Sequence, residues 1–127
     1  MSREEELIRR YFDAFNAHDI EAVMACFQEH AVIIDPAGNR IEGDAQVRRH
    51  YEASFRTFPD GRCELRTCTG SSGHGLAESV FHGTRAKEGN LVRAVGAEVM
   101  EIVDGKIAEI RDSHRVLGAK EAAASLS

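Results

Sequence analysis

The chain has 127 residues and a net charge of −5, with 43% hydrophobic and 29% charged residues. That is the size and composition of one globular domain able to bury a core without disulfide or metal staples. The acidic balance and dispersed basic residues exclude a basic nucleic-acid-binding face, and no apolar run is long enough to span a membrane. The charged start MSREEELIRR lacks the apolar segment of a signal peptide. Cys26, Cys63 and Cys68 form no CxxC motif, so reduced thiols and a cytoplasmic setting are expected.

Leu7, Ile8, Tyr11, Phe12 and Phe15 recur at helical spacing and predict an amphipathic helix over Glu4 to Ala17, with Ser2 and Glu5 in capping-box positions. Asp19 is the N-cap of a second helix, whose inner face is Ala22, Val23, Cys26 and Phe27. Ala31 to Asp35 reads as a strand, Pro36 to Asn39 as a turn, and Ile41 as a brief return. A third helix is expected over about Ala45 to Thr57, with Val47, Tyr51, Phe55 and Phe58 inward, and Pro59-Asp60-Gly61 stops it. Four strands follow, roughly Arg62 to Thr69, Gly75 to Arg85, Leu91 to Val103 and Lys106 to Leu117. Turns at Gly70 to Gly73, Lys87 to Asn90 and Asp104-Gly105 separate them, the last being a two-residue hairpin signal. The tail from Gly118 is small and polar and reads as loose, so the ordered core is expected over about residues 4–117 of a single domain. Helices first and strands afterwards predict an α+β fold, with helices on one face of a curved antiparallel sheet.

Strand alternation sorts the candidate polar residues. Ile110, Asp112, His114 and Val116 share one face of the last strand, opposite a wholly polar face, so Asp112 and His114 point to the apolar side. Glu98 shares a face with Ala94, Gly96 and Met100. A carboxyl there is either paired or raised in pKa, and shifted acids concentrate at functional sites. Each residue also has a plain structural role open to it. Asp35-Pro36 suits the first two positions of a type I turn. Glu98 could face solvent at a sheet end, Asp112 and His114 could be a satisfied pair, and Tyr11 could be a core aromatic. His18, His30 and His50 read as surface residues, and no metal-ligand spacing is present.

The segment RYFDAFNAHDIEAVMACFQEHAVIIDPAGNRIEG, Arg10 to Gly43, resembles the opening of the ketosteroid isomerases and the wider NTF2-like (SnoaL-like) superfamily. The resemblance continues through Tyr51, the FPD at Phe58 to Asp60 and AEVMEIVDGKI at Ala97 to Ile107. It implies a cone: a curved antiparallel sheet wrapped by three N-terminal helices around an apolar cavity, the cystatin-like frame. It further implies a base at Asp35, oxyanion donors at Tyr11 and Glu98, and a supporting hydrogen bond from Tyr51. The activity implied is a proton shift next to a carbonyl in a small apolar enolisable substrate, without a cofactor or metal.

The chain departs from that pattern in three places. Glu98 stands for the usual Asp, Phe27 for a third tyrosine, and Asp112 with His114 for apolar lining. A polar Asp112/His114 wall is more like that of polyketide-cyclase or epoxide-hydrolase relatives, so a cyclase or hydrolase using that pair is the alternative. A non-catalytic module for small-ligand binding or dimerisation is a further one. Phe27, Phe55, Phe81, Met100 and Val116 are the expected substrate-binding side chains. Both faces of Leu91 to Val103 are largely apolar, which suggests cover on two sides and a homodimer. The expected partners are a small apolar molecule and a second copy, with neither nucleic acid nor membrane.

Overall fold

The computed structural model describes residues 1–118, so the expected loose tail lies, beyond Gly118, outside the described residues. Three helices pack on one seven-stranded sheet. Helix α1 (Arg3–Asn16) starts where expected because the Ser2 hydroxyl oxygen accepts the Glu5 N–H at 3.1 Å. The same hydroxyl donates to the Gly70 carbonyl at 2.7 Å, which ties the helix start to the far end of a strand. Helix α2 (Ile20–Met24) is capped by Asp19 and is shorter than its apolar pattern suggests. The Cys26 carbonyl accepts the Ile107 N–H at 2.8 Å, which draws the chain out of the helix, so Phe27 opens strand β1 (Phe27–Ile34) instead of closing α2.

Strand β2 (Arg40–Glu42) is the brief return after the turn, and α3 (Asp44–Thr57) follows it. The remaining strands are β3 (Arg62–Ser71), β4 (His74–Thr84), β5 (Leu91–Val103), β6 (Lys106–Asp112) and β7 (Arg115–Val116). The spatial order is β2-β1-β6-β5-β4-β3, with β7 paired to β5. The sheet is mixed, where a purely antiparallel one was expected, because β1 runs parallel to β6. Two-residue hairpins join β3 to β4 at Ser72-Gly73 and β5 to β6 at Asp104-Gly105. All four of these residues have positive φ, between 51° and 79°, the type I′ geometry that matches strand twist. The first hairpin is tighter than the four-residue turn expected over Gly70 to Gly73, because Gly70 and Ser71 pair with Gly75 and His74.

The core lies between the helices and the concave sheet face, where Ile8, Val23, Val47, Met100 and Ile107 are almost wholly buried. No described helix is long and apolar enough to cross a membrane.

Candidate active site

The expected last strand breaks between β6 and β7, and this break shapes the site. The ladder with β5 keeps its register across it: Glu98 stands opposite Asp112, and Ala94 opposite Val116. His114 therefore falls opposite Gly96. Asp112 Oδ1 accepts the His114 backbone N–H at 3.0 Å, a local bond that competes with the ladder. The backbone at Ser113 and His114 then presses onto Gly96. A Cβ on Gly96 would lie 2.5 Å from the Ser113 carbonyl oxygen and 2.6 Å from the His114 Cα. Only glycine fits there. Because the register survives, Ile110, Asp112, His114 and Val116 all line one cavity, as their alternation indicates.

That cavity has a volume of about 350 Å³. Its floor is buried and includes Tyr11, Tyr51, Glu98 and Ile110, while Pro36 and Val116 on its rim are exposed. Phe12, Phe15, Phe58 and Phe81 supply apolar wall. The Tyr11 and Tyr51 hydroxyls are 2.7 Å apart. Burial first, and then their mutual contact for Tyr11, holds both phenols well above their ordinary pKa, so both stay neutral donors.

Next to them is a five-residue hydrogen-bonded cluster. His114 Nδ1 meets Asp112 Oδ1 at 2.6 Å, and His114 Nε2 meets Ser79 Oγ at 2.9 Å. Ser79 Oγ donates to Glu98 Oε1 at 2.7 Å and accepts from the Cys63 thiol at 3.3 Å. Glu98 and His114 side chains are 7% and 8% exposed, so this charge is held largely out of water. Burial pushes the Glu98 carboxyl up to about 7 against the pull of His114 and Ser79. Burial opposes a charge on His114, but its bonds to Asp112 and Cys63 outweigh that and raise it to about 10. Near neutrality His114 is thus a cation donating to Asp112 and Ser79, and Glu98 is poised between its two forms. Glu98 Oε2 is buried and has no hydrogen-bond partner among the described residues.

Cys63, Glu98 and His114 also bring three ligand-capable atoms within 4.8 Å of one another, a set that sequence spacing does not reveal. The Ser79 hydroxyl already sits among all three, in the place an ion would take.

The structure gathers Tyr11, Tyr51, Glu98, Asp112, His114, Phe81 and Val116 on the cavity wall. Asp35 is not on it, although its neighbour Pro36 is. The Asp35 carboxylate accepts from the Ala37 and Asn39 backbone N–H groups at 3.0 and 2.8 Å and from the Asn39 side chain at 3.1 Å. Burial opposes its charge, but these bonds together outweigh it and lower its pKa overall. Phe27 and Met100 pack in the core beneath the cavity, and Phe55 stacks on His18 at 4.4 Å. His50, expected at the surface, lines the cavity, and burial lowers its pKa. Its place on α3, three residues after the buried Val47 and four before the cavity-lining Ser54, is the signal that could have located it.

Against this geometry, a family model described as a SnoaL-like domain matches residues 8–110. The chain belongs to the SnoaL-like family. No curated protein matches the sequence. Among solved structures, this SnoaL-like domain is similar to SalBIII, an epoxide hydrolase/cyclase-like enzyme of pyran ring formation in salinomycin. The identity is 21% over 88% of this chain and 90% of that one, with a TM-score of 0.80. It is also similar to IdmH of Streptomyces antibioticus, a candidate polyketide cyclase (18% identity, 89% and 92% covered, TM-score 0.78). A candidate ketosteroid isomerase of Kribbella flavida shares 23% identity over 87% and 76% of the two chains, with a TM-score of 0.71. At these identities the likeness carries the SnoaL-like fold.

Proposed function

We propose that the domain catalyses proton transfer next to a carbonyl in a small, largely apolar substrate, with Glu98 as the acid–base group. The observation that carries this is Glu98 Oε2, a buried carboxyl oxygen on the cavity wall left without a partner while Ser79 fixes Oε1. A native structure seldom leaves such an atom orphaned without a role. A carboxyl titrating near 7 has the pKa that general acid–base catalysis favours at neutral pH.

In the forward step the ionised Glu98 Oε2 takes the proton from the carbon beside the carbonyl. The C–H electron pair moves into the new C=C bond, and the carbonyl oxygen gains negative charge. Tyr11, a neutral phenol supported by Tyr51, donates a hydrogen bond to that oxygen. Return of the proton from Glu98 to a different carbon completes an isomerisation. Alternatively, the enolate carbon attacks a second carbonyl, whose π pair moves onto its oxygen, and Glu98 returns its proton to that alkoxide to complete a cyclisation. Asp112 and His114 act behind Glu98: the imidazolium, held by Asp112, faces Glu98 Oε1 at 3.5 Å and stabilises the ionised form.

This reading keeps Tyr11 and Glu98 in the cavity and moves the base from Asp35 to Glu98. Three donors already hold the Asp35 carboxylate in its turn. The experiment is isomerisation of small β,γ-unsaturated ketones to conjugated enones, followed by ultraviolet absorbance. Glu98→Gln should lose about 10²–10⁴-fold in rate, and Asp35→Asn less than about fivefold. The wild-type rate should rise with pH through about 7 as Glu98 ionises. A greater loss in Asp35→Asn than in Glu98→Gln, or no turnover of any such ketone, overturns the assignment.

The homodimer belongs to the same proposal. Val95, Ala97 and Val99 on the convex face of β5 are only half-buried, and Leu76 beside them is 42% exposed. A second copy packed there would cover this apolar strip.

A further inference from the structure

We propose that Arg85 is an anion-binding subsite at one end of the cavity, so that the substrate is an elongated apolar molecule bearing a carboxylate. This deepens the reading above and rests on it for the reacting end. Arg85 is the one Lys or Arg among the described cavity-lining residues. It follows the end of β4, and its backbone is fixed by bonds to Asn90 and Gly89 across the β4–β5 turn. Its guanidinium carbon lies 5.4 Å from the centroid of the Phe58 ring, which itself lines the cavity. That stacking steadies the guanidinium plane and leaves its edge of N–H donors available.

Four other arginines are engaged in ion pairs. Arg40 pairs with Glu42, Arg48 with Glu21, Arg66 with Glu64, and Arg111 with Glu101 and Glu109. Arg85 forms no ion pair among the described residues, although the chain carries a net charge of −5. A half-buried, unpaired guanidinium on the wall of an apolar cavity is matched in shape and charge by a carboxylate, which it can hold through two parallel hydrogen bonds.

The two ends of the cavity differ in chemistry. Around Glu98 the charged groups are Asp112 and His114, with neutral Tyr11, Tyr51, Ser79 and Cys63. Two carboxyls against one imidazolium make that end unfavourable for an anion. The Arg85 end carries a cation and no carboxylate on the lining.

Strand register sets the ligand's length. Thr84, which precedes Arg85, stands opposite Leu91, and Glu98 lies seven residues further along β5. That is about 23 Å of strand. Once both side chains reach inward, on the order of 10–15 Å remains for the ligand. Phe15, Phe58 and Phe81 line the way, which suits a flat ring or an alkyl chain between a carbonyl at the Glu98 end and a carboxylate at the Arg85 end.

The experiment compares 6-phenylhexanoate with its primary amide, by calorimetric titration and amide NMR shifts on the full chain. Because it reads binding only, it does not depend on turnover. Intact acid binding with no ketone turnover would count against the proton-transfer reading and leave this subsite standing. The wild type should bind the acid at least about tenfold tighter than the amide. Arg85→Gln should bring the two within about twofold, with the largest wild-type shifts at residues 83–92. Loss of the acid preference in His114→Gln but not in Arg85→Gln would place the anion at the other end and overturn the proposal. So would equal binding of acid and amide by the wild type, or no binding of either at millimolar concentration.

Discussion

Replacing Gly96 with Ala tests whether the strand break holds the site together. The added Cβ would stand 2.5 Å from the Ser113 carbonyl oxygen, 2.6 Å from the His114 Cα and 2.9 Å from the His114 nitrogen. These are backbone atoms, so rotation of a side chain cannot relieve the clash. The Ser113–His114 segment has to lift, and His114 then loses its contacts with Ser79 at 2.9 Å and Asp112 at 2.6 Å. Overpacking of this kind costs about 1–3 kcal/mol. Urea unfolding reads that cost, and NMR of the imidazole nitrogens reads the local effect. In the wild type the His114 imidazolium persists to about pH 10, and in the variant its midpoint should fall toward the ordinary value of about 6.5. Gly75→Ala is the control. Its Cβ would come as close, 2.6 Å, but to the end of the flexible Ile8 side chain, so it should cost less and leave His114 unchanged. If Gly96→Ala unfolds like the wild type and keeps the His114 midpoint, the close approach does not organise the cluster and the argument fails.

Stability should depend on pH through the same cluster. Glu98 titrates near 7 when folded against about 4.5 when unfolded, so the folded state holds this proton more tightly. The resulting stabilisation is complete below pH 4.5 and is lost as pH rises through about 7. Glu98→Gln should flatten the stability curve between those values; an unchanged slope there would show that Glu98 is not buried as described. His114 is raised from 6.5 to about 10, so its contribution is complete below 6.5 and lost toward pH 10, a loss that should persist in Glu98→Gln. Asp35→Ala removes three acceptor contacts in an exposed turn and should cost about 1 kcal/mol in chemical unfolding. Stability equal to the wild type would mean that Pro36 alone sets the turn.

How much of this was legible in the sequence depends on how local each signal is. The α1 face, the Val47 and Tyr51 stripe of α3 and the Asp104-Gly105 hairpin follow from spacing within one segment, and they appear as read. The face carrying Ile110, Asp112, His114 and Val116 was legible for a less obvious reason: the strand breaks, but its register does not slip. The parallel pairing of β1 with β6 was not legible, because nothing in either apolar run names its partner. The early end of α2 was hidden for the same reason, since Ile107, 81 residues on from Cys26, captures the carbonyl that ends it.

Asp35 shows the limit of a local signal, because Asp before Pro suits a turn and a presented base equally. Only the position of the Asn39 amide, which closes on the carboxylate, distinguishes the two. The Ser79 hub was also out of reach. Ser79 needs Cys63 from β3, Glu98 from β5 and His114 from beyond β6 to become anything more than a buried serine. The proposed acid–base group is accordingly one whose pKa is raised by burial and then adjusted by His114, Ser79 and Asp112 from three other segments. Gly96, which looks like an interruption in an apolar strand, is the residue that lets the His114 segment close over it.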